Sequence, residues 1–273
     1  MKTYLKILAA LVSVAVLFLV VSFVVFLRDE SLRCDTITLD GNIVPETFVA
    51  VRECLVRSFA PKKTFVVKHS GGGDGATAMA LGILIHRHRW DVEVVDICAS
   101  SCANWIFPAG RTKYLDRDSL LLFHGGPYQE NMFEMGKALE RKLTAKGVST
   151  ESVTVGQVNK EGTITFTLGK SKALAEVLEF LSWREGMNAD ELVSKMRSTS
   201  DQLYQELGVN PLVSAYGQIG AYEPIYKSYK YGGFTYRLDS LSRLGIGNVE
   251  LKDGEWNPER NPAYQDVYEV TYP

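Results

Sequence analysis

Residues 64–75 read TFVVKHSGGGDG, an apolar run that leads directly into a glycine-rich turn. The run from Thr64 to Val67 is apolar and partly β-branched, which predicts a short buried strand. Residues 76–86, rich in small apolar side chains, predict a helix after the turn. A strand, a turn and a helix in this order form a βα unit, the repeating element of a parallel sheet.

The same order recurs on both sides of this unit. Further strands are predicted at residues 36–39, 92–97, 112–114 and 120–123, and further helices at residues 45–58 and 100–107. The alternation indicates an α/β fold with helices packed on a parallel sheet. Beyond this region the patterns predict helices at residues 131–146, 171–186, 189–197, 200–207 and 238–244, a β-hairpin at 152–168 and a last strand at 246–251.

A serine and a histidine lie at the ends of two later strands. Residues 98–102 read CASSC and join a strand to a helix. A serine here is either a helix cap or a nucleophile near the positive end of the helix dipole. His124 follows the strand at 120–123, and a neutral imidazole can accept a serine proton. The glycine turn lacks the Lys-Ser/Thr of a phosphate loop and the spacing of a dinucleotide fingerprint, so no cofactor is predicted.

Together these features resemble the superfold shared by the Clp protease proteolytic subunit and crotonase. The closest resemblance is to predicted periplasmic Clp-protease-like proteins with a Cys-x-Ser-x-Cys motif. It covers residues 35–128 well and 236–250 weakly, including Leu39-Asp40-Gly41. It implies a repeated ββα spiral and a homo-oligomer. It also implies Ser100 as nucleophile, His124 as base, and the backbone amides of Gly73 and Ser101 as the oxyanion hole.

The sequence departs from this family at two points. The family carries an acidic third residue shortly before the closing helix and strand, but residues 230–235 read KYGGFT and contain no acid. Glu223 and Asp239 are substitutes that the sequence does not place, so the third member of the triad is unknown. Ser101 replaces a bulky residue after the nucleophile, which leaves Ser100 and Ser101 as alternative nucleophiles.

The N-terminal segment from Ile7 to Leu27 is apolar except for Ser13 and Ser22. As a helix it would span roughly 31 Å, the thickness of the hydrocarbon core of a bilayer. The run is longer than the core of a signal peptide and lacks a small-residue cleavage site, so we expect an uncleaved, single-pass anchor. Lys2 and Lys6 before it favour a cytoplasmic N-terminus and a periplasmic or extracellular main domain.

Four cysteines, Cys34, Cys54, Cys98 and Cys102, follow the predicted anchor. Outside the cytoplasm an even number favours disulfides, and four cysteines allow three pairings. Cys98 and Cys102 are close enough in sequence to bridge, and so are the cysteines that flank the first strand and helix. No further ligands at zinc-site spacing accompany them, so no metal is predicted.

The whole-chain composition bounds the function. The chain has 273 residues, 46% of them hydrophobic, and a net charge of −2. This excludes whole-chain disorder and argues against a dedicated nucleic-acid binder. We divide the chain into an anchor at 1–30, an α/β domain at 31–252 with a helical and hairpin insertion around 129–222, and an irregular, Pro-containing tail at 253–273.

The sequence thus predicts a membrane-anchored, extracytoplasmic serine hydrolase, most simply a peptidase acting on peptide or protein substrates. An inactive scaffold or assembly protein of the same fold is the alternative, favoured by the missing acid. A thioester-handling, crotonase-like enzyme is a third reading. Such enzymes bind coenzyme A and need no serine–histidine pair, so Ser100 followed by His124 argues against it.

Overall fold

The computed structural model describes residues 15–19, 36–57, 63–128 and 189–273. The helices predicted at 131–146 and 171–186, the hairpin at 152–168 and most of the predicted insertion lie outside these residues. The strands are β1 (Thr36–Asp40), β2 (Thr64–Ser70), β3 (Asp91–Ala99), β4 (Lys113–Leu115), β5 (Leu120–Leu122), β6 (Gly233–Tyr236), β7 (Val249–Leu251) and β8 (Val267–Val270). The helices are α1 (Pro45–Arg57), α2 (Gly75–Arg87), α3 (Phe107–Ala109), α4 (Ala189–Leu207), α5 (Glu223–Lys227) and α6 (Leu238–Arg243).

Six strands form one parallel sheet in the order β1-β2-β3-β4-β7, and β5 pairs separately with β3. The predicted mixed α/β fold with a parallel sheet is therefore confirmed. Its centre is β3, whose first half pairs with β4 at Val92–Val94 and whose last residues pair with β5 at Ile97–Ala99. Because β4 and β5 pair with different parts of β3, the carboxyl end of β3 lies between β2 on one side and β5 on the other.

One face of the sheet forms the core. Alternate residues of the first strands, such as Ile37, Phe65 and Val94, are buried, as expected for strands that pack on helices. Helix α2 buries most of its small residues against this face and is capped at its N-terminus by Asp74, whose carboxylate accepts a 2.8 Å hydrogen bond from the Thr77 amide.

Helix α4 runs unbroken through the region where two helices, at 189–197 and 200–207, are predicted. The separate prediction is wrong because the intervening serines and threonine are accommodated inside the helix. The Thr199 hydroxyl donates back to the carbonyl of Lys195, and Ser200 is buried, where its hydroxyl accepts a 2.8 Å hydrogen bond from Trp105 Nε1.

The C-terminal tail is not irregular throughout, in contrast to the prediction. Residues 267–270 form β8, which pairs in parallel with β6, and both strands are largely buried. The prolines of the tail favoured an irregular structure. Pro258 and Pro262 instead start two short 3-10 turns that end before β8 begins. An antiparallel bridge between Phe123 and Phe234 joins β6 to the residues that follow β5.

Most of the predicted anchor lies outside the described residues. Its described part, residues 15–19, is helical, and its side chains are exposed. Among the residues that the structure describes, no helix has both the length and the apolar character that crossing a membrane requires.

Candidate active site

Ser100 occupies a sharp turn at the carboxyl end of β3. Its φ angle is +57°, in the left-handed region that a serine rarely adopts. The Ser100 amide donates to the carbonyl of Leu122 at 2.8 Å, and its carbonyl accepts from the Asn104 amide at 2.9 Å. These bonds hold the turn between β5 and the following helix. A strained strand-to-helix turn of this kind presents its side chain at the end of the sheet where the strands finish.

A disulfide spans this turn. Cys98 on β3 and Cys102 on the helix are bonded, with their Cα atoms 5.3 Å apart, and both residues are fully buried. One of the pairings left open by the sequence is thereby fixed. Cys54 is also disulfide-bonded, whereas Cys34 lies outside the described residues.

The helix after the turn starts as a π-helix, Cys102–Ile106, and continues as α3. π-Helical turns are rare in proteins, and those that occur are often found at functional sites. The helix therefore begins at residues 101–102 and extends to Ala109, slightly later than the predicted 100–107.

The two neighbouring serines differ in exposure. Ser100 is half-buried, whereas Ser101 is only 3% exposed and its hydroxyl has no hydrogen-bond partner among the described residues. An attacking hydroxyl must reach its substrate, and of the two serines only Ser100 is partly accessible. Neither the Ser101 amide nor the Gly73 amide donates to an acceptor in the described residues.

The glycine turn packs directly against the serine turn. Gly72 has φ +89°, and a Cβ at this position would lie 2.6 Å from Ser100 Cβ and 3.0 Å from the Ser101 amide nitrogen. Its carbonyl accepts a hydrogen bond from the Ile43 amide at 2.7 Å, and Gly73 has φ +140°. The predicted site includes Gly73 but not Gly72, although it is the missing side chain of Gly72 that lets the two turns approach each other.

His124 lies two residues beyond β5. The parallel register pairs Ala99 with Leu122, so Ser100 is at the level of Phe123, next to His124. Burial lowers the pKa of His124, and a hydrogen bond to its own backbone partly offsets the effect. The imidazole is therefore neutral at neutral pH, as a base must be.

The described residues supply neither a hydrogen bond between Ser100 Oγ and the His124 ring nor a carboxylate bound to that ring. Glu223 forms an ion pair with Lys227, and Asp239 lies 3.4 Å from Arg243 within α6. Neither of these carboxylates forms a hydrogen bond or ion pair with His124 among the described residues.

The loop after His124 is held from several sides. The Gly125 amide donates to the carbonyl of Ser214 at 2.7 Å, and Asn104 Nδ2 donates to the carbonyl of Gly125 at 3.2 Å. From α4, Arg197 Nε donates to the carbonyl of Pro127 at 2.5 Å. Sequence analysis missed Asn104, although a single polar residue within the apolar run from Ala103 to Phe107 is a usable signal.

No model of a known protein family matches the chain, and no curated protein matches it. Among solved structures, the chain is similar to the ClpP protease catalytic domain from Plasmodium falciparum, with 14% sequence identity and a TM-score of 0.30. The match covers 43% of this chain and 69% of that one. A similarity this distant places the chain in no family.

Proposed function

We propose that this protein is a serine hydrolase that cleaves peptide bonds. Ser100 Oγ attacks the acyl carbonyl, and His124 accepts its proton and later passes it to the leaving amine. The amides of Gly73 and Ser101 stabilise the oxyanion. The observation that carries the proposal is the left-handed Ser100 at the strand end, with Gly72 packed against it and the neutral His124 one strand away.

Because no hydrogen bond joins Ser100 to His124 among the described residues, the proposed reaction requires the two side chains to approach each other when the substrate binds. Serine–histidine hydrogen bonds are often long in unliganded enzymes and tighten in the substrate complex. The absent hydrogen bond between Ser100 and His124 is therefore compatible with the proposed reaction. The resemblance of residues 35–128 to the Clp protease and crotonase superfold supports the same roles.

A fluorophosphonate probe tests this proposal, because it reacts only with an activated serine. We expect the full-length protein to be labelled, and Ser100→Ala and His124→Gln to abolish labelling. Ser101→Ala is the matched control and should retain most of it, since its backbone amide remains. Labelling lost only in Ser101→Ala would reassign the nucleophile, and an unlabelled, folded wild type would reject the hydrolase.

An inactive scaffold is the second candidate. It is favoured by the lack of any described carboxylate at His124, because losing the orienting acid of a triad costs about 10⁴-fold in rate. The same labelling experiment decides between the two, since a scaffold would not react under any of these conditions.

We also propose that residues 7–27 anchor the protein in a membrane, with the α/β domain outside the cytoplasm. The disulfides at Cys98–Cys102 and Cys54 support an oxidising compartment. Carbonate extraction of membranes should leave the full chain in the pellet, and added protease should digest the domain only from the extracytoplasmic side. Recovery of the chain in the soluble fraction would contradict the anchor.

The resemblance further leads us to propose a homo-oligomer. Sedimentation of the full-length protein in mild detergent should give a mass several times that of the 30.4 kDa chain. A purely monomeric boundary across a range of concentrations would contradict it.

A further inference from the structure

We propose that Asn104 is the positioning residue for His124, holding the base loop at a fixed place relative to the Ser100 turn. This inference rests on the proposed function and adds a residue to its site. The base loop comprises residues 124–126.

Asn104 makes contact with both halves of the site. Its backbone amide donates to the Ser100 carbonyl at 2.9 Å, so Asn104 is fixed relative to the serine turn. Its side-chain Nδ2 donates to the carbonyl of Gly125, the residue directly after His124, at 3.2 Å. One residue therefore connects the candidate nucleophile to the candidate base.

The packing around Asn104 leaves little freedom for the base loop. Asn104 is 2% exposed, and the Gly126 backbone lies so close that an added Cβ would be 3.1 Å from Asn104 Nδ2. The neighbouring Trp105 ring would be 3.8 Å from the same Cβ. A rigid carboxamide at this position therefore determines where residues 125 and 126 lie, and with them the preceding imidazole.

The other half of the Asn104 side chain makes this choice of residue informative. Its Oδ1 is buried and has no hydrogen-bond partner among the described residues. A polar side chain with one unsatisfied atom is a poor choice for packing alone, since an apolar residue would avoid the cost. The hydrogen bond from Nδ2 to the base loop is an interaction that an apolar residue of the same size could not make.

The test compares Asn104→Leu, which keeps the approximate shape but removes the donor, with Tyr268→Phe. The control variant also removes one buried hydrogen bond from a side chain to a glycine carbonyl, that of Gly217, at 2.6 Å. Arg197 and Asp201, the charged groups of α4 next to the base loop, bind Pro127 and Tyr128 directly after it and are unchanged in both variants. Asn104→Ala serves as a second donor-free variant if leucine prevents folding.

The first readout is the titration of the His124 ring by NMR in the full-length, histidine-labelled protein, with assignment by His124→Gln. In Asn104→Leu the base loop loses its hydrogen bond and can move, so that water reaches the imidazole. We therefore expect this variant to raise the His124 pKa toward the ordinary value of about 6.5, while Tyr268→Phe leaves it unchanged. A change in overall stability would not by itself move this value. Equal titration of His124 in the wild type and in both donor-free variants would overturn the inference.

The second readout is the rate of fluorophosphonate labelling at saturating probe. Since a misplacement of about 1 Å can cost 10²-fold, we expect a fall of that order in Asn104→Leu and little change in Tyr268→Phe. If the wild type is labelled and Asn104→Leu is labelled equally fast, the positioning role is rejected and the hydrolase is not. An unlabelled wild type would reject the hydrolase, while the His124 titration would still decide whether Asn104 positions the ring.

Discussion

At the scale of single residues, the backbone of Ser100 separates two serines that the sequence could not separate. The motif at 98–102 offers both as nucleophiles, and only the φ angle and the burial of the neighbouring hydroxyl distinguish them. The order of glycine turn, serine and histidine was readable from the sequence. The close approach of Gly72 was not, because it depends on the packing of two βα turns that are distant in the chain.

Gly72→Ala should abolish fluorophosphonate labelling and destabilise the fold. The new Cβ would meet Ser100 Cβ and the Ala99 carbonyl, and the left-handed φ adds about 1–2 kcal/mol of strain. Gly71→Ala is the control, since its Cβ would lie at an ordinary 3.4 Å from Asn42 Oδ1. Urea unfolding and labelling measure both effects. An active and stable Gly72→Ala protein would show that the two turns do not need this contact.

The pH dependence of labelling should report His124. A lowered pKa keeps the imidazole neutral to lower pH, and the base works only in its neutral form. The labelling rate should therefore be fully developed at pH 7, fall on acidification, and reach its half-maximum below about 6.5. A half-maximum above this value would contradict a buried, uncharged base.

At the scale of elements, the connection between β3 and the π-helix is covalent as well as hydrogen-bonded. The Cys98–Cys102 bridge encloses only five residues, for which the loss of chain entropy in the unfolded state amounts to about 2 kcal/mol. The four-residue separation of Cys98 and Cys102 already allowed this bridge. The junction of strand and helix at these residues was predicted as well, whereas the choice among the three possible cysteine pairings was not.

Cys98→Ala/Cys102→Ala should lower the free energy of unfolding by about 2 kcal/mol or more, since both side chains are also fully buried. We further expect slower labelling, because the turn at Ser100 loses its brace. Urea unfolding of the double variant and the wild type under non-reducing conditions measures the difference. The same unfolding midpoint for both proteins would mean that the bridge contributes no stability.

Helix α2 meets the π-helix and α4 at Gly82. An alanine in the middle of a helix normally stabilises it by up to about 1 kcal/mol. Here the added Cβ would lie 2.5 Å from the Trp105 carbonyl and 3.2 Å from Leu203 Cδ2, so Gly82→Ala should lower the melting temperature. Gly247→Ala, where no atom lies within 4 Å of the added Cβ, should leave it nearly unchanged. A more stable Gly82→Ala protein would show that these helices separate easily.

At the scale of the whole molecule, the strand and helix periodicity of residues 36–123 predicted the parallel sheet, because each local unit repeats the same pattern. It did not predict that α4 would be continuous or that the tail would contribute β8. Both outcomes depend on long-range partners, namely Trp105 for Ser200 and β6 for residues 267–270. Local pattern carries no information about such partners.

Lys113 joins distant parts of the molecule and should make stability depend on pH. Its ammonium donates to the carbonyls of Gly110 and Gly247, and burial lowers its pKa to about 8. The unfolded chain binds this proton more tightly, so the contribution of Lys113 to stability rises as the pH increases from about 8 toward 10.5. The unfolding free energy of the wild type minus that of Lys113→Met should therefore increase over this range. A difference independent of pH would contradict the shift.

The pairing of β6 with β8 has a consequence for biosynthesis. Phe123, directly before His124, exchanges two backbone hydrogen bonds with Phe234 on β6, at 2.7 and 2.8 Å, and β6 pairs with residues 267–270. A ribosome adding about 5–20 residues per second needs on the order of ten seconds to proceed from His124 to β8. During that interval the nascent chain carries the histidine without the strands that support it. The candidate site is therefore completed late in translation, after most of the parallel sheet has emerged.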